Sequence, residues 1–288
     1  MRRTPAARAA LAAIAATLLA ALAASAADLT PEAVKAWDDY VSARERRIEA
    51  ELESTEGFLA MDFQNPQAAA AERRSVLAGE VSVRGMAAGA GATSGTSVQV
   101  PGGEIHHLRG AVFIPGVPYE FTVHRAEHPE DGDGLQEDVL DSRVLWREGG
   151  RYRLFLKLER TQVVTVVYNT EHDVRVRRLD DDRLAIFSVS AKIAEVERLA
   201  GGREREKPEG RDRGFLWRMN SYWRYRRVPG GVLVECESIT MSRPVPGLLE
   251  RMARPMVENI AATAMGRTMR SLRDRLGKAY ADMLPRKP

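Results

Sequence analysis

The chain is short of the residues that usually announce a reaction. Its 288 residues hold one cysteine, Cys236, and five histidines. A lone thiol excludes an internal disulfide, so stability has to come from a packed core. Cys236 lies in an apolar run with no histidine or basic cluster beside it, the setting of a small buried hydrophobe rather than a reactive thiolate. Neither sign of charge dominates: 43 Lys and Arg against 40 Asp and Glu leave +3, too weak and too interspersed to imply nucleic acid. The sequence has no serine elbow, no Cys–His pair and no phosphate loop, and the Gly/Ala/Ser/Thr run of 86–96 has no strand leading in and no helix leading out. His106 and His107 are adjacent, so on a strand they point to opposite faces and cannot chelate together. His124 and His128 have a metal-binding spacing on a helix, but Pro129 follows and no third ligand is evident. No catalytic residue, metal or other cofactor is expected.

Long apolar runs are equally scarce. The one that exists spans Ala9 to Ala24, behind Met1-Arg2-Arg3 and ahead of Ala24-Ser25-Ala26. Basic start, apolar middle and small residues at a cleavage point are the parts of a secretory signal peptide. The expected location is therefore periplasmic or secreted, or membrane-anchored if the segment is retained. Residues 1–27 would be the signal, 28–103 a helical extension with a flexible Gly/Ala-rich loop, and 104–288 the main domain.

Thr30-Pro31-Glu32 opens a helix, with Thr30 as N-cap and Pro31 in the first turn. Val34, Trp37, Val41, Ile48 and Leu52 recur at helical spacing among charged residues, a narrow stripe fit for packing on the outside of the main domain. Phe58 to Phe63 reads as a short extended piece, Ala68 to Arg74 as helix and Glu80 to Arg84 as a minor strand. From Glu104 the pattern turns to β. Strands are expected over Glu104 to Ile114, Val139 to Trp146, Tyr152 to Glu159, Val163 to Arg178, Leu184 to Val196, Gly214 to Val228 and Val232 to Arg243, with two short helices between Val117 and Gly134. Gly201 to Arg213 reads as a charged hairpin tip. A long helix from Pro246 carries Leu249, Met252, Met256, Ile260, Met265, Met269, Leu272 and Leu276 on one stripe, and Pro255 is expected to kink or divide it.

Alternation assigns the strand faces. Tyr152, Leu154, Leu156 and Leu158 share one face. Val164, Val166, Tyr168, Val174 and Val176 share one with Thr170 and His172, and Phe215, Trp217, Met219, Trp223 and Tyr225 form a third set. In the last hairpin, pairing Val228 with Gly231 sets Arg224 across from Glu235, Tyr222 from Glu237, Trp223 from Cys236 and Tyr225 from Val234. Apolar then meets apolar and charged meets charged or polar, so this register is favoured. Arg224 with Glu235 reads as a surface pair worth little.

The order strand, short helical pair, six strands, long helix is that of a known superfamily. Over Ile105-His106-His107-Leu108-Arg109-Gly110-Ala111-Val112-Phe113-Ile114-Pro115-Gly116, Asn169-Thr170-Glu171-His172-Asp173-Val174, Gly214-Phe215-Leu216-Trp217-Arg218-Met219-Asn220-Ser221-Tyr222-Trp223, Gly230-Gly231-Val232-Leu233-Val234-Glu235-Cys236-Glu237-Ser238-Ile239 and the helix after Pro246, the chain resembles the START-like (SRPBCC) superfamily, in an exported bacterial branch of unassigned activity. The resemblance implies an α+β helix-grip fold: a curved antiparallel sheet of about seven strands wrapped on a long C-terminal helix. It also implies an apolar pocket between sheet and helix, the usual place for a hydrophobic small molecule. It carries over no catalytic set.

Candidates for the pocket wall are Leu154, Leu156, Tyr168, His172, Trp217, Met219, Trp223, Met256, Ile260 and Met269. His172, Thr170 and Tyr168, with Ser221 and Ser238 opposite each other, would make a polar end for a ligand headgroup; the alternative for His172 is a buried histidine bonded within the protein. The reading is a binding or carrier protein for a lipid or isoprenoid-like molecule, in possible contact with a membrane but not integral to it. One alternative is a cyclase- or hydratase-like enzyme using His172 or an inward tyrosine as acid–base. Another is a partner-binding module whose pocket is filled by its own side chains.

Overall fold

The computed structural model describes residues 29–87, 95–131, 138–161, 165–208, 212–243 and 247–285, with side chains described except at 131, 161 and 247–260. The segment read as a signal peptide, residues 88–94 of the Gly/Ala-rich loop, and the side chains of Met256 and Ile260 therefore lie outside the described residues. Helix α1 (Pro31–Glu53) starts as read, with the Thr30 hydroxyl accepting the Ala33 N–H at 3.2 Å. A 3-10 turn, Ala60–Phe63, replaces the extended piece expected there, and α2 (Pro66–Leu77) follows. Strands β1 (Ser82–Gly85), β2 (Ser97–Val100) and β3 (Gly103–Pro115) lead to α3 (Tyr119–Glu127). Then come β4 (Val139–Glu148), β5 (Arg151–Thr161), β6 (Thr165–Arg178), β7 (Arg183–Arg198), β8 (Glu204–Glu206), β9 (Arg218–Val228) and β10 (Gly231–Ser242). Helix α4 (Gly247–Met283) is assigned as one unbroken run, so Pro255 does not divide it. Among the described residues no helix is long and apolar enough to cross a membrane.

All strands join one open antiparallel sheet in the order β1-β3-β10-β9-β7-β6-β5-β4, with β2 also on β3 and β8 also on β7. Among the described residues the sheet has ten strands, not about seven. Of the additions, β1 is the minor strand read over Glu80 to Arg84, and β2 and β8, three or four residues long, are too short to show a period. Residues before Glu104 contribute two of them, so the N-terminal extension is built into the sheet. The β9–β10 hairpin has the register read from alternation: Val228 with Gly231, Arg224 with Glu235, Trp223 with Cys236. Its two-residue turn needs a positive φ at the second position, and Gly230 supplies it at +84°. The free edge strand β4 is bulged twice against β5, at Leu140 and at Leu145. Such bulges blunt an edge against strand addition.

Both faces of the sheet are covered. The inner face carries Leu108, Val112, Ile114, Ile186, Tyr225, Val232, Val234 and Cys236, packed with Val123 of α3 and Met265, Met269 and Leu276 of α4. The outer face carries Ile105, Ala111, Phe187, Tyr222, Leu233 and Ile239, packed with Trp37, Val41, Ile48 and Leu52 of α1 and with Phe58, Leu59, Met61 and Val76. The long helix lies against one side and the N-terminal helices against the other.

That outer cover changes the meaning of the charged residues on the sheet. Arg224 and Glu235 are each only 2% exposed, so they are not a surface pair. Arg224 donates to Glu51 at 2.6 Å and to the Phe58 carbonyl at 2.8 Å. Glu235 accepts the Met61 N–H at 3.1 Å, the Ala60 N–H, and Arg109 at 3.3 Å. Arg109 also donates to both oxygens of Glu72 at 2.7 Å. Glu237 is bonded to Arg47 and to His107 Nε2, the latter at 2.9 Å, while Tyr40 Oη meets His107 Nδ1 at 2.9 Å. Burial pushes the Glu235 carboxyl up to about 7, with Arg109 and Arg224 opposing it. Glu237 is held near 2 against its burial by the His107 hydrogen bond and the nearby Arg47 and Arg224. Cations and anions alternate from sheet to helices, so the cover is tied down by hydrogen-bonded charge as well as by apolar contact.

Cys236 sits inside the inner core at 3% exposure, and burial raises its thiol well above the ordinary range. Alkylation by iodoacetamide is expected to be negligible in the native protein and complete in denaturant, counted by intact mass. Rapid native labelling would contradict the packing of this face.

Candidate functional site

The candidate site is the inner face of β5, β6 and β9, which carries apolar side chains that are only partly buried. On β3 and β10 the face is solid, because Met269 is fully buried and packs with Met265 over Gly110. Further across, on β5, β6 and β9, the alternation holds but the burial does not. Leu154 and Leu156 on β5 and Met219, Ser221 and Trp223 on β9 all face inward, yet all are only partly buried. Leu156 and Met219 gather with Ile193, Phe215 and Val139 around a small buried cluster of Leu158, Val166 and Tyr168. Ile193 escaped the pattern because β7 bulges at Ala191, where its pairing with β6 shifts. Ser221 pairs with Ser238 as expected, and Ser221 Oγ accepts from Trp223 Nε1 at 3.2 Å.

Trp217 is not on this wall. It belongs to the outer-face core, although its parity with Met219 and Trp223 placed it inside. The strand begins only at Arg218, and residues 212–217 are bent around Gly214 at φ +67°. Parity is inherited only along continuous strand, so it fails across this bend.

At the centre of the wall, β6 presents Tyr168, Thr170 and His172, each no more than 2% exposed. Thr170 Oγ1 donates to the Leu156 carbonyl at 3.2 Å and lies 3.0 Å from His172 Nε2. Burial brings the His172 imidazolium down to about 4, so the ring is neutral at physiological pH. The Tyr168 phenol is shifted upward, also by burial. Tyr168 Oη and His172 Nδ1 are buried and without a hydrogen-bond partner among the described residues. Buried polar atoms are normally satisfied, so these two stand out beside the half-covered apolar side chains of β5 and β9.

The arrangement is a curved antiparallel sheet with a long C-terminal helix across one face. The fold is the helix grip.

No protein-family model matches the chain, and no curated protein matches it. Among solved structures the chain is similar to a START superfamily protein from Mycobacterium smegmatis, at 16% identity, TM-score 0.39, covering 60% of this chain and 99% of that one. It is similar also to a STAR-related lipid transfer protein from Xanthomonas axonopodis, at 13% identity, TM-score 0.39, covering 63% and 99%. A Streptomyces aromatase/cyclase aligns at 10% identity and TM-score 0.37, covering 61% and 96%. Identities this low leave function to be argued from the chain's own residues.

A concavity of about 1030 Å³ opens on the outer face between α1 and strands β4 to β7. Arg46, Glu49, Ala50 and Glu53 line one side and Trp146, Arg153, Asp173, Arg175 and Phe187 the other. Its charges largely answer one another: Arg153 with Asp173 at 2.7 Å, Arg175 with Glu49 at 2.8 Å. The groove is the widening gap between a straight helix and a sheet.

His124, on α3, and His128, just beyond it, bring their ring centres within 4.8 Å at a tilt of 37°. Among the described residues no cluster of three or more His, Cys, Asp or Glu is placed to hold a metal ion.

Proposed function

We propose that the chain is an exported binding or carrier protein for a hydrophobic small molecule of lipid or isoprenoid type, held on the inner wall formed by β5, β6 and β9. The observation that carries this reading is the row of partly buried apolar side chains (Leu154, Leu156, Met219, Trp223) that face inward on β5 and β9. Apolar area for the body of a ligand is what such a molecule requires. Export rests on the segment 1–27 and its expected cleavage. Transient contact with a membrane belongs to the same reading, because an apolar cargo must be loaded from lipid and delivered to it.

The neutral His172 favours a carrier over an acid–base catalyst. A group titrating near 4 is a poor proton donor at neutral pH, and its sequence neighbour Asp173 points to the opposite, exposed face. A module with a wholly filled interior fits less well with a partly exposed inner face.

Mass spectrometry of an organic extract of the purified mature protein is the direct test. One apolar compound, enriched over a control extract, is expected. Recovery of none, together with failure of the delipidated protein to bind a fluorescent apolar dye, would reject the reading. The intact mass of the same preparation tests cleavage near Ala26 or Ala27.

A further inference from the structure

The two sides of α4 differ in kind. Met265, Met269, Leu272 and Leu276 pack toward the sheet. Away from it, at three- and four-residue spacing, Thr263, Arg267, Arg270, Asp274 and Lys278 are exposed. Residues 261–285 hold five Lys and Arg against two Asp, a net +3 that equals the net charge of all 288 residues. The rest of the chain therefore sums to neutrality, and the cationic excess sits on this helix. Elsewhere on the surface arginines are answered by carboxylates, as Arg153 is by Asp173, Arg175 by Glu49 and Arg227 by Asp182. Arg267, Arg270 and Lys278 have no ion-pair partner among the described residues, and Asp274 is already engaged by Arg273 at 3.2 Å.

We propose that this exposed face of α4 docks the protein on a bilayer surface that carries anionic phospholipid headgroups. The inference deepens the carrier reading, on which the purpose of docking rests. Unpaired cations on one helix face complement a sheet of phosphates, and each gains by approaching it. Two observations select lipid over other polyanions. The helix ends in Met283 and Leu284, exposed at 65% and 50%, which can enter the boundary between headgroups and acyl chains. The exposed stripe has no aromatic ring on which a nucleic-acid base could stack. The apolar stripe stays on the sheet throughout, so docking requires no unfolding of the helix. Ala261 and Leu272 of α4 flank the same buried cluster as Leu154 and Trp223 of the proposed wall. A protein docked through α4 would thus hold that wall about one helix diameter, ~10 Å, from the headgroups.

The mature protein would be co-sedimented with vesicles of phosphatidylcholine and with vesicles of phosphatidylcholine mixed with phosphatidylglycerol. Binding is expected to the mixed vesicles, weakly or not at all to the neutral ones, and to be lost at high salt. Arg267→Gln with Arg270→Gln should weaken it about thirtyfold, at roughly fivefold for each basic side chain near an anionic surface. Lys278→Gln, a single exposed change, should weaken it about fivefold and serves if the double variant does not fold. Arg151→Gln with Arg203→Gln makes the same change in net charge at exposed positions away from α4 and should leave binding nearly unchanged. Equal binding to both kinds of vesicle, or an equal loss in the two double variants, would overturn the proposal. So would absence of binding to either vesicle, which would turn the search for an occupant to an acidic protein. Each of these failures leaves the carrier reading to its own test, because extraction of an apolar compound and dye binding do not use this face. Docking without any recovered compound would reject the carrier and keep the surface.

Discussion

Replacing Arg109 with methionine is expected to lower the unfolding free energy by about 3–5 kcal/mol, the usual cost of breaking a buried ion pair from one side. Arg109 is 1% exposed and holds two carboxylates, Glu72 from α2 and Glu235 from β10. Methionine fills much of the volume but leaves both acids buried without their cation. Neither can reach water unless α2 and the turn before it lift off the sheet. Arg153→Ala provides the contrast. Its pair with Asp173 is 33% and 52% exposed, and the loss there should stay below about 1 kcal/mol. Removing the charge at all three sites, Arg109→Met with Glu72→Leu and Glu235→Leu, should recover much of the loss, since apolar replacements of a buried ionic cluster are often neutral. Urea denaturation of the four proteins measures this. An Arg109→Met cost no larger than that of Arg153→Ala would mean that the helices do not seal the outer face as described.

The same network shows where sequence reading succeeds and where it stops. Alternation placed Arg224 opposite Glu235 and Trp223 opposite Cys236, and the hairpin has that register. Period-two pattern records which residues share a face; it does not record what covers the face. A row of Arg, Glu and His reads as solvated because charge is usually exposed, and here 23 residues of α1 and the segment behind it lie over the row. A signal was present: the stripe Trp37, Val41, Ile48, Leu52 needs an apolar partner, and Phe187, Tyr222, Leu233 and Ile239 stand among the charges on the outer face. The inner wall was legible for the same reason as the register, since Leu154, Leu156, Tyr168, His172, Met219 and Trp223 lie on uninterrupted strand. Trp217 was misplaced by one left-handed glycine, a conformational event that no periodicity reports.

Gly110→Val is expected to push α4 away from β3 and to cost about 1–3 kcal/mol, the range for overpacking a filled core. A Cβ at Gly110 would stand 2.7 Å from Met265 Sδ and 2.8 Å from Met265 Cγ and Met269 Cγ. Both methionines are buried, at 8% and 0% exposure, and have nowhere to go. The glycine is therefore a seat for the helix, the place where backbone and side chains of α4 come closest to the sheet. Shortening one obstacle should relieve part of the strain, so Gly110→Val with Met269→Ala is expected to be less destabilised than the sum of the single changes, with a coupling of about 0.5–3 kcal/mol. The proposed ligand wall supplies a second readout. Lifting α4 should alter dye affinity at the inner wall, whereas Arg109→Met, one residue away but on the opposite face, should leave the dye affinity of its folded fraction near that of the parent. A Gly110→Val protein with unchanged stability would show that the helix does not press on β3, and the grip that frames the inner wall would lose its anchor.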